Sequence, residues 1–478
     1  MILVLDIGSS SVRSSLWAAD GSSLGECERI NHDATGETDA NALLGRVAYV
    51  LDRAADDHRE IRAVATATMW HCLLGLDERG QPVTPVYSYA DARSAPYATE
   101  LRERLDERAI HARTGCRLHS SYWPAKLAWL RATRPADFER VHTWVSPGEF
   151  VQRRLLGDAT ASVSMASATG LLVQETCEWD SELAAELGVE GKLPAIGDAP
   201  REGLVPEWAG RWPKLASLPW FPAVGDGATS SLGAGCDTAE RAALMVGTSG
   251  ALRVLERAPA PVPPHQLWCY RLDAERPVLG GSLSDGGSVV AWLRKLMQMP
   301  EPEEAERELA AMAPDSHGLT FLPLLAGERG PGWSDRAGAT IDGLTRATTP
   351  IHVLRAGIEA VALQFAVIDA DLPGDQTVVA TGGALGRSPT WTQIIADALG
   401  RPVAHSGVAE GSSRGAAVLA LEALGETAGE APLGRTFDPD PDAHEAYKAA
   451  LERQQALYER VVTSRPAPRP PADPASGR

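Results

Sequence analysis

Residues 2–17 read ILVLDIGSSSVRSSLW, and residues 242–255 read AALMVGTSGALRVL. Each is an aliphatic run, a turn of glycine and small hydroxylated residues, and a second apolar run, which spells strand, tight turn, strand. In the first copy the strands run over Ile2 to Ile7 and Val12 to Trp17. In the second they run over Ala242 to Val246 and Ala251 to Leu255. Two such hairpins, about 240 residues apart, predict a duplicated core in which each half offers backbone N–H groups at its turn to a phosphate.

Working outward, helical signals follow each hairpin. Thr349 is a good N-cap, Pro350 suits the first helical position, and Leu354, Ile358, Val361, Phe365 and Ile368 give one buried face. A second helix is expected from Ser388-Pro389 to Gly400, preceded by a strand over Thr377 to Ala380 and the glycines Gly382 and Gly383. Strands alternating with helices make the chain α/β. The boundary falls near Gly235 to Arg241, giving domains over 1–237 and 238–463 and a Pro-, Ala- and Arg-rich tail over 464–478 that should be disordered.

A length of 478 residues suits two domains around a cleft. The chain carries 45 basic and 63 acidic residues, a net charge of −18, which argues against nucleic acid or an anionic membrane as partner. No basic n-region precedes Asp6, and no run of the roughly 18 apolar residues needed to span a bilayer is apparent. Cys27, Cys72, Cys116, Cys177, Cys236 and Cys269 are scattered, with no C-x-x-C pair, and read as reduced thiols of a cytoplasmic protein.

Three segments carry chemistry. In DIGSSSVR, Asp6 ends a strand beside Gly8, with the donors Ser9, Ser10 and Ser11 and the cation Arg13 beyond; Asp6 can hold magnesium and the turn a phosphate. VGTSGALR repeats this in the second half. In FPAVGDGATSSLGAG, Asp226 lies between two glycines where a strand gives way to a helix, accessible and close to a helix N-terminus that favours its ionised form. A carboxylate so placed is commonly only a turn former; lying between the two phosphate hairpins, it reads as a general base with a near-normal pKa.

The chain resembles the FGGY carbohydrate kinases along nearly its whole length, in order. The matching segments are DIGSSSVR, WHCLLGLD, YADARS, TGCRLHSSYWPAKLAWL, VGDGATSSLGAG, VGTSGALR, LLAGERGPGWSDRAGATIDGL, TGGALGRSPTWTQIIADALG and AEGSSRGAAVLA. The resemblance implies two RNase-H-like domains of the actin, Hsp70 and sugar-kinase fold around a central cleft. It also implies ATP and Mg2+ as cofactors, a small sugar or sugar acid as partner, and room for a homodimer. Carried over by position, Asp226 is the proton acceptor and Asp6 the acid near magnesium. Ser9, Ser10, Ser11 and Arg13 match the first phosphate loop, Gly247, Thr248 and Ser249 the second, and Gly287, Gly382, Gly383 and Arg387 the nucleotide approach. Trp70, His71, Asp91, Arg93, Tyr122 and Lys126 fall where the family contacts sugar.

The wording around TGCRLHSSYWPAKLAWL and GTSGALR is closer to the family's gluconate kinases than to its glycerol or xylulose kinases. An acidic substrate would suit a cationic pocket of Arg93, His119 and Lys126. A pentulose or polyol kinase is the nearest alternative. An actin-like ATPase or chaperone would lack the WHCLLGLD, YADARS and Asp226 segments together, and a dead sugar-sensing scaffold would have lost Asp6 or Asp226. A dinucleotide oxidoreductase would want G-x-G-x-x-G after its first strand, which DIGSSSVR does not supply.

Overall fold

The computed structural model describes residues 1–32, 36–55, 60–374 and 376–463. The expected tail over 464–478 lies outside them. The first sheet is built from β1 (Ile2–Ile7), β2 (Ser11–Trp17), β3 (Glu28–Asn31), β4 (Ala63–Thr68) and β5 (Trp220–Gly225), in the order β5-β4-β1-β2-β3. β1, β2 and β3 run antiparallel in turn, while β4 lies parallel to β1 and β5 parallel to β4.

The second sheet has β6 (Arg241–Val246), β7 (Gly250–Leu255), β8 (Trp268–Arg271), β9 (Pro277–Leu283), β10 (Thr377–Thr381), β11 (Val403–Ser406) and β12 (Leu433–Phe437), ordered β8-β9-β7-β6-β10-β11-β12. Without its edge strands β8 and β12, it repeats the order and directions of the first sheet: β9, β7 and β6 antiparallel, then β10 and β11 parallel. The duplication expected from the two hairpins is therefore a duplication of whole five-stranded units.

Helices fill the faces. α1 (Ala40–Ala55) presents Leu43, Val47, Val50 and Leu51, one helical stripe, to the core of the first sheet. α2 (Asp226–Gly233) follows β5 directly. α3 (Pro350–Asp369) starts where expected, with His352 Nδ1 accepting the Thr349 N–H at 3.3 Å. α3 is also long and apolar enough to cross a bilayer, which corrects the expectation that no run reaches that length. Its place explains its composition: Val353, Ile358, Val361, Phe365 and Ile368 are all buried in the second core, and its charged Arg355 and Glu359 pair with each other. α4 (Pro389–Leu399) runs from Ser388, whose Oγ accepts the Trp391 N–H at 3.1 Å, to a left-handed Gly400.

α5 (Gly411–Ala423) follows β11 as α2 follows β5, and the two equivalent helices cross each other. The crossing is backbone on backbone: a Cβ on Gly233 would sit 1.9 Å from the Gly411 carbonyl oxygen, and one on Gly415 1.8 Å from that of Thr229. Beyond the crossing, α5 buries Ala416, Ala417, Ala420 and Leu421 against Ile2, Val4, Ala63, Ala65 and Ala67 of β1 and β4. A helix encoded late in the chain thus covers the first sheet and ties the halves together.

Candidate active site

Asp226 is the first residue of α2, and its Oδ1 accepts the Gly227 N–H at 2.9 Å. The glycines on either side have a specific reason. The Trp70 ring slides under this turn, so a Cβ on Gly225 would lie 1.8 Å from Trp70 Nε1 and one on Gly227 2.4 Å from Trp70 Cζ3. Trp70 is fixed there by its Nε1–H, donated to the Ser164 carbonyl at 3.2 Å, and by edge contacts with Tyr270 and Trp268. Its backbone N–H also favours the ionised form of Asp226. Burial raises the Asp226 pKa, with Arg253 the largest opposing influence. The near-normal value expected for this group is thereby corrected: a helix N-terminus favours the anion, but loss of water costs it more.

Arg253, on β7, is almost fully buried and reaches across to the Gly227 carbonyl at 3.4 Å. Burial pulls its pKa down to about 10, and Asp226 holds it up. The second hairpin therefore brings a cation to Asp226.

His71 has a left-handed backbone, φ 66°, and its ring centre lies 6.1 Å from that of Trp70. Nδ1 lies 2.6 Å from the Ala168 carbonyl oxygen. Burial, and then the Arg329 charge, push its pKa well down. A neutral imidazole facing a carbonyl carries its proton on Nδ1, so Nε2 is an acceptor, and an Arg329 Nη2–H donates to it at 3.3 Å. Tyr122 stands behind this ring at 5.2 Å, edge-on and fully buried, with its hydroxyl bonded to that of Tyr270. It supports His71 from the core.

The cationic pocket expected from Arg93, His119 and Lys126 does not form, because each already has a partner. Arg93 Nε donates to Asp91 at 2.9 Å, an arm pairs with Glu37 at 2.9 Å, and the guanidinium covers the Trp129 ring at 4.6 Å. Burial raises the Asp91 pKa, but Arg93 more than offsets this and the net shift is downward. His119 Nε2 lies 3.0 Å from Asp335, and the buried Lys126, its pKa drawn down to about 8 by lost hydration, donates to the Ser120 carbonyl.

Arg329, Arg253 and Asp335 are the residues the sequence reading missed. Arg329 and Asp335 lie on the segment after β9, where Ser284 Oγ accepts the Arg329 N–H at 3.1 Å. Asp335 is bonded by Ser120 and His119 of the first half, so this segment closes over the first domain. The quoted GERGPGWSDR run marked the segment, but nothing local in it points to His71.

At the two hairpins, the Gly8 N–H is bonded to the Ser11 carbonyl at 3.0 Å, leaving Ser9 half-buried and Ser10 exposed at the tip. Ser11 Oγ accepts from Arg13 Nε at 2.8 Å, and Arg13 Nη1 pairs with Glu410 at 2.6 Å. In the second hairpin the carbonyls of Gly247 and Thr248 are capped by the N–H groups of Gly287 and Gly286, at 2.7 and 2.9 Å. That leaves the Thr248 and Ser249 edge of the turn outward. Gly382 is held at φ 96° with a would-be Cβ 2.4 Å from the Val246 carbonyl, and Gly382, Gly383 and Arg387 are exposed.

Asp6 is the one carboxylate that the first hairpin could offer a divalent cation. This carboxyl is buried and its pKa is pushed up to about 7, first by burial and then by Asp226 and Glu410, against the opposing pull of Arg13 at 3.7 Å. Two carboxylates strain against one another here, and a bound cation would relieve both.

Residues 1–233 match the N-terminal domain, and residues 242–424 the C-terminal domain, of the FGGY family of carbohydrate kinases. The gluconokinase of Bacillus subtilis is 28% identical over 452 residues, covering 89% of this chain and 88% of the relative. Among solved structures, a gluconate kinase from Lactobacillus acidophilus superposes with a TM-score of 0.89 at 24% identity, covering 97% of this chain and 98% of that one. A xylulose kinase from Rhodospirillum rubrum superposes with a TM-score of 0.84 at 26% identity, over 96% and 98% of the two chains.

Proposed function

The chain belongs to the FGGY family of carbohydrate kinases, and from that premise we propose that it moves the terminal phosphate of ATP to a hydroxyl of D-gluconate, with Asp226 taking the hydroxyl proton. ATP-dependent phosphorylation of a carbohydrate is what the family does. The observation that carries the assignment of the base is Asp226 itself, a half-buried carboxylate at a strand-to-helix junction with no ion-pair partner among the described residues and a raised pKa.

Asp226 orients the attacking hydroxyl and accepts its proton as the oxygen bonds to the γ-phosphorus and the bond to the departing ADP oxygen breaks. Arg253 keeps Asp226 ionised until then and lies where charge gathers on the transferred group. His71, fixed as the Nδ1–H tautomer, holds the Arg329 guanidinium through Nε2, and the Trp70 ring supports the Asp226 turn from beneath. The turns at Ser9–Ser10 and Thr248–Ser249 hold phosphate oxygens through backbone N–H groups. Asp6 would hold magnesium, which neutralises phosphate charge when bound.

Gluconate is favoured by the local likeness to gluconate kinases and by cationic groups around His71. A coupled assay of ADP release over gluconate, xylulose, ribulose and glycerol tests the reading. Turnover of gluconate above the others is expected; inert gluconate beside an active neutral sugar overturns the substrate, and no turnover with any of them overturns the reaction.

A further inference from the structure

Arg329 is a cation prepared for an anion that the protein does not supply. Most other arginines drawn into the fold are answered: Arg117 by Glu107, Arg276 by Asp273 and Glu422, Arg355 by Glu359, Arg401 by Asp369, and Arg414 by three backbone carbonyls, while Arg253 and Arg271, which also lack a carboxylate, reach backbone carbonyls. Arg329 has no carboxylate within ion-pair distance among the described residues. Its guanidinium rests over the Tyr89 ring at 5.3 Å, its Nη2 reaches only the neutral His71 Nε2 at 3.3 Å, and its Nε is buried without a partner. An aromatic face and an imidazole lone pair orient a guanidinium without neutralising it.

The placement relative to the base is equally specific. The Trp70 ring lies directly under the Asp226 turn, and Arg329 is bonded to the side chain of His71, so consecutive residues set the spacing between anion and cation. Lys126 and Arg253 add positive charge felt at His71. Arg253 reaches the Gly227 carbonyl and Lys126 the Ser120 carbonyl, whereas the Arg329 side chain meets no oxygen acceptor among the described residues. A substrate with a hydroxyl at one end and a carboxylate at the other would meet Asp226 and Arg329 together.

We propose that Arg329 is the specificity-determining residue of the sugar site, pairing its guanidinium with the carboxylate of a sugar-acid substrate while Asp226 faces the hydroxyl at the other end. This rests on the kinase reading above and names the group that would choose an acid over a neutral sugar. Pairing a planar fork with a carboxylate is the chemistry arginine performs best.

The test compares gluconate with gluconamide, which keeps the hydroxyls and removes the charge, in the intact protein and in Arg329→Gln and Arg329→Lys. The unaltered enzyme should prefer gluconate. Arg329→Gln should lower kcat/KM for gluconate by about 100-fold, mostly through KM, with a much smaller change for gluconamide, and Arg329→Lys should recover part of the preference. Equal losses on both substrates would overturn the proposal and assign Arg329 to the transferred phosphate. Unchanged kinetics on both would overturn it as well. If the unaltered enzyme phosphorylates a neutral polyol but not gluconate, the substrate reading falls and the proposal with it; if it uses gluconate and Arg329→Gln keeps the preference, the proposal alone falls.

Discussion

Two carboxylates stand at equivalent points of the duplicated fold. Asp226 follows β5 and opens α2; Glu410 follows β11 and caps α5, the helix that crosses α2. Glu410 is gripped by two arginines of the opposite half, Arg13 at 2.6 Å and Arg29 at 2.7 Å. Asp226 has no such pair among the described residues, only the Gly227 N–H, the fields of Arg253 and Arg329 and a raised pKa. In one half the fold answered its charge with counter-charges and made a strap between domains. In the other it left the charge unanswered, which is costly for folding and useful for chemistry.

If that difference is the functional one, neutralising the two carboxylates should have very unequal results. Asp226→Asn should cut kcat by about 100- to 10,000-fold, the range of a lost general base, with substrate KM little changed. Steady-state kinetics checks it. Near-normal turnover would end the comparison at its first step.

The next largest effect concerns what keeps the two sites in register. Gly415→Ala pushes a methyl group to within 1.8 Å of the Thr229 carbonyl, and backbone on both sides leaves nothing flexible to give way. Urea titration should show a loss of about 3 kcal/mol, the upper end for overpacking. A loss below about 0.5 kcal/mol would mean that the helices slide freely and that the pairing of sites is incidental.

What the sequence made legible was whatever is local. The hairpins, the caps at Thr349 and Ser388 and the strand-to-helix junction at Asp226 each depend on neighbours a few residues away, and the structure has them where the pattern pointed. Charge pairing does not work that way. Arg93 sits in a motif that reads as substrate-binding, yet Glu37, far upstream, takes one arm. His119 is spent on Asp335, 216 positions downstream (335 − 119). Arg329 is left over because no such partner arrives. An arginine's partner, or its lack of one, is a property of the tertiary fold, so no spacing rule could have exchanged Arg93 for Arg329. The glycines around Asp226 were noticed for exposing it, but their reason, the Trp70 ring beneath, lies about 155 residues away along the chain.

A third test acts on the pH dependence. Asp226 must be unprotonated to accept a proton, and its pKa is raised above the ordinary value of about 3.9. Activity is therefore held above the raised pKa and lost as pH falls through it. Arg253 is the largest influence lowering that pKa, so Arg253→Gln should move the acidic limb of the pH–kcat profile to higher pH. The profile is taken at saturating magnesium, so that Asp6 stays ionised. A limb that stays put or moves down would separate Arg253 from the base.

The smallest effect belongs to Glu410. Its pairs with Arg13 and Arg29 are partly open to solvent, with side-chain exposures of 23–44% for the three groups, so Glu410→Gln should cost no more than about 1 kcal/mol in urea titration. Its informative consequence is at Asp6. Glu410 helps to raise the Asp6 pKa, so neutralising it should let Asp6 ionise more readily near neutral pH and tighten magnesium binding. Calorimetric titration with magnesium at pH 7 should show that tightening, while kcat stays within about tenfold of the unaltered enzyme. A collapse of kcat as deep as that of Asp226→Asn would mean that the paired carboxylate is as catalytic as the unpaired one, and that ion pairing does not separate strap from base in this fold.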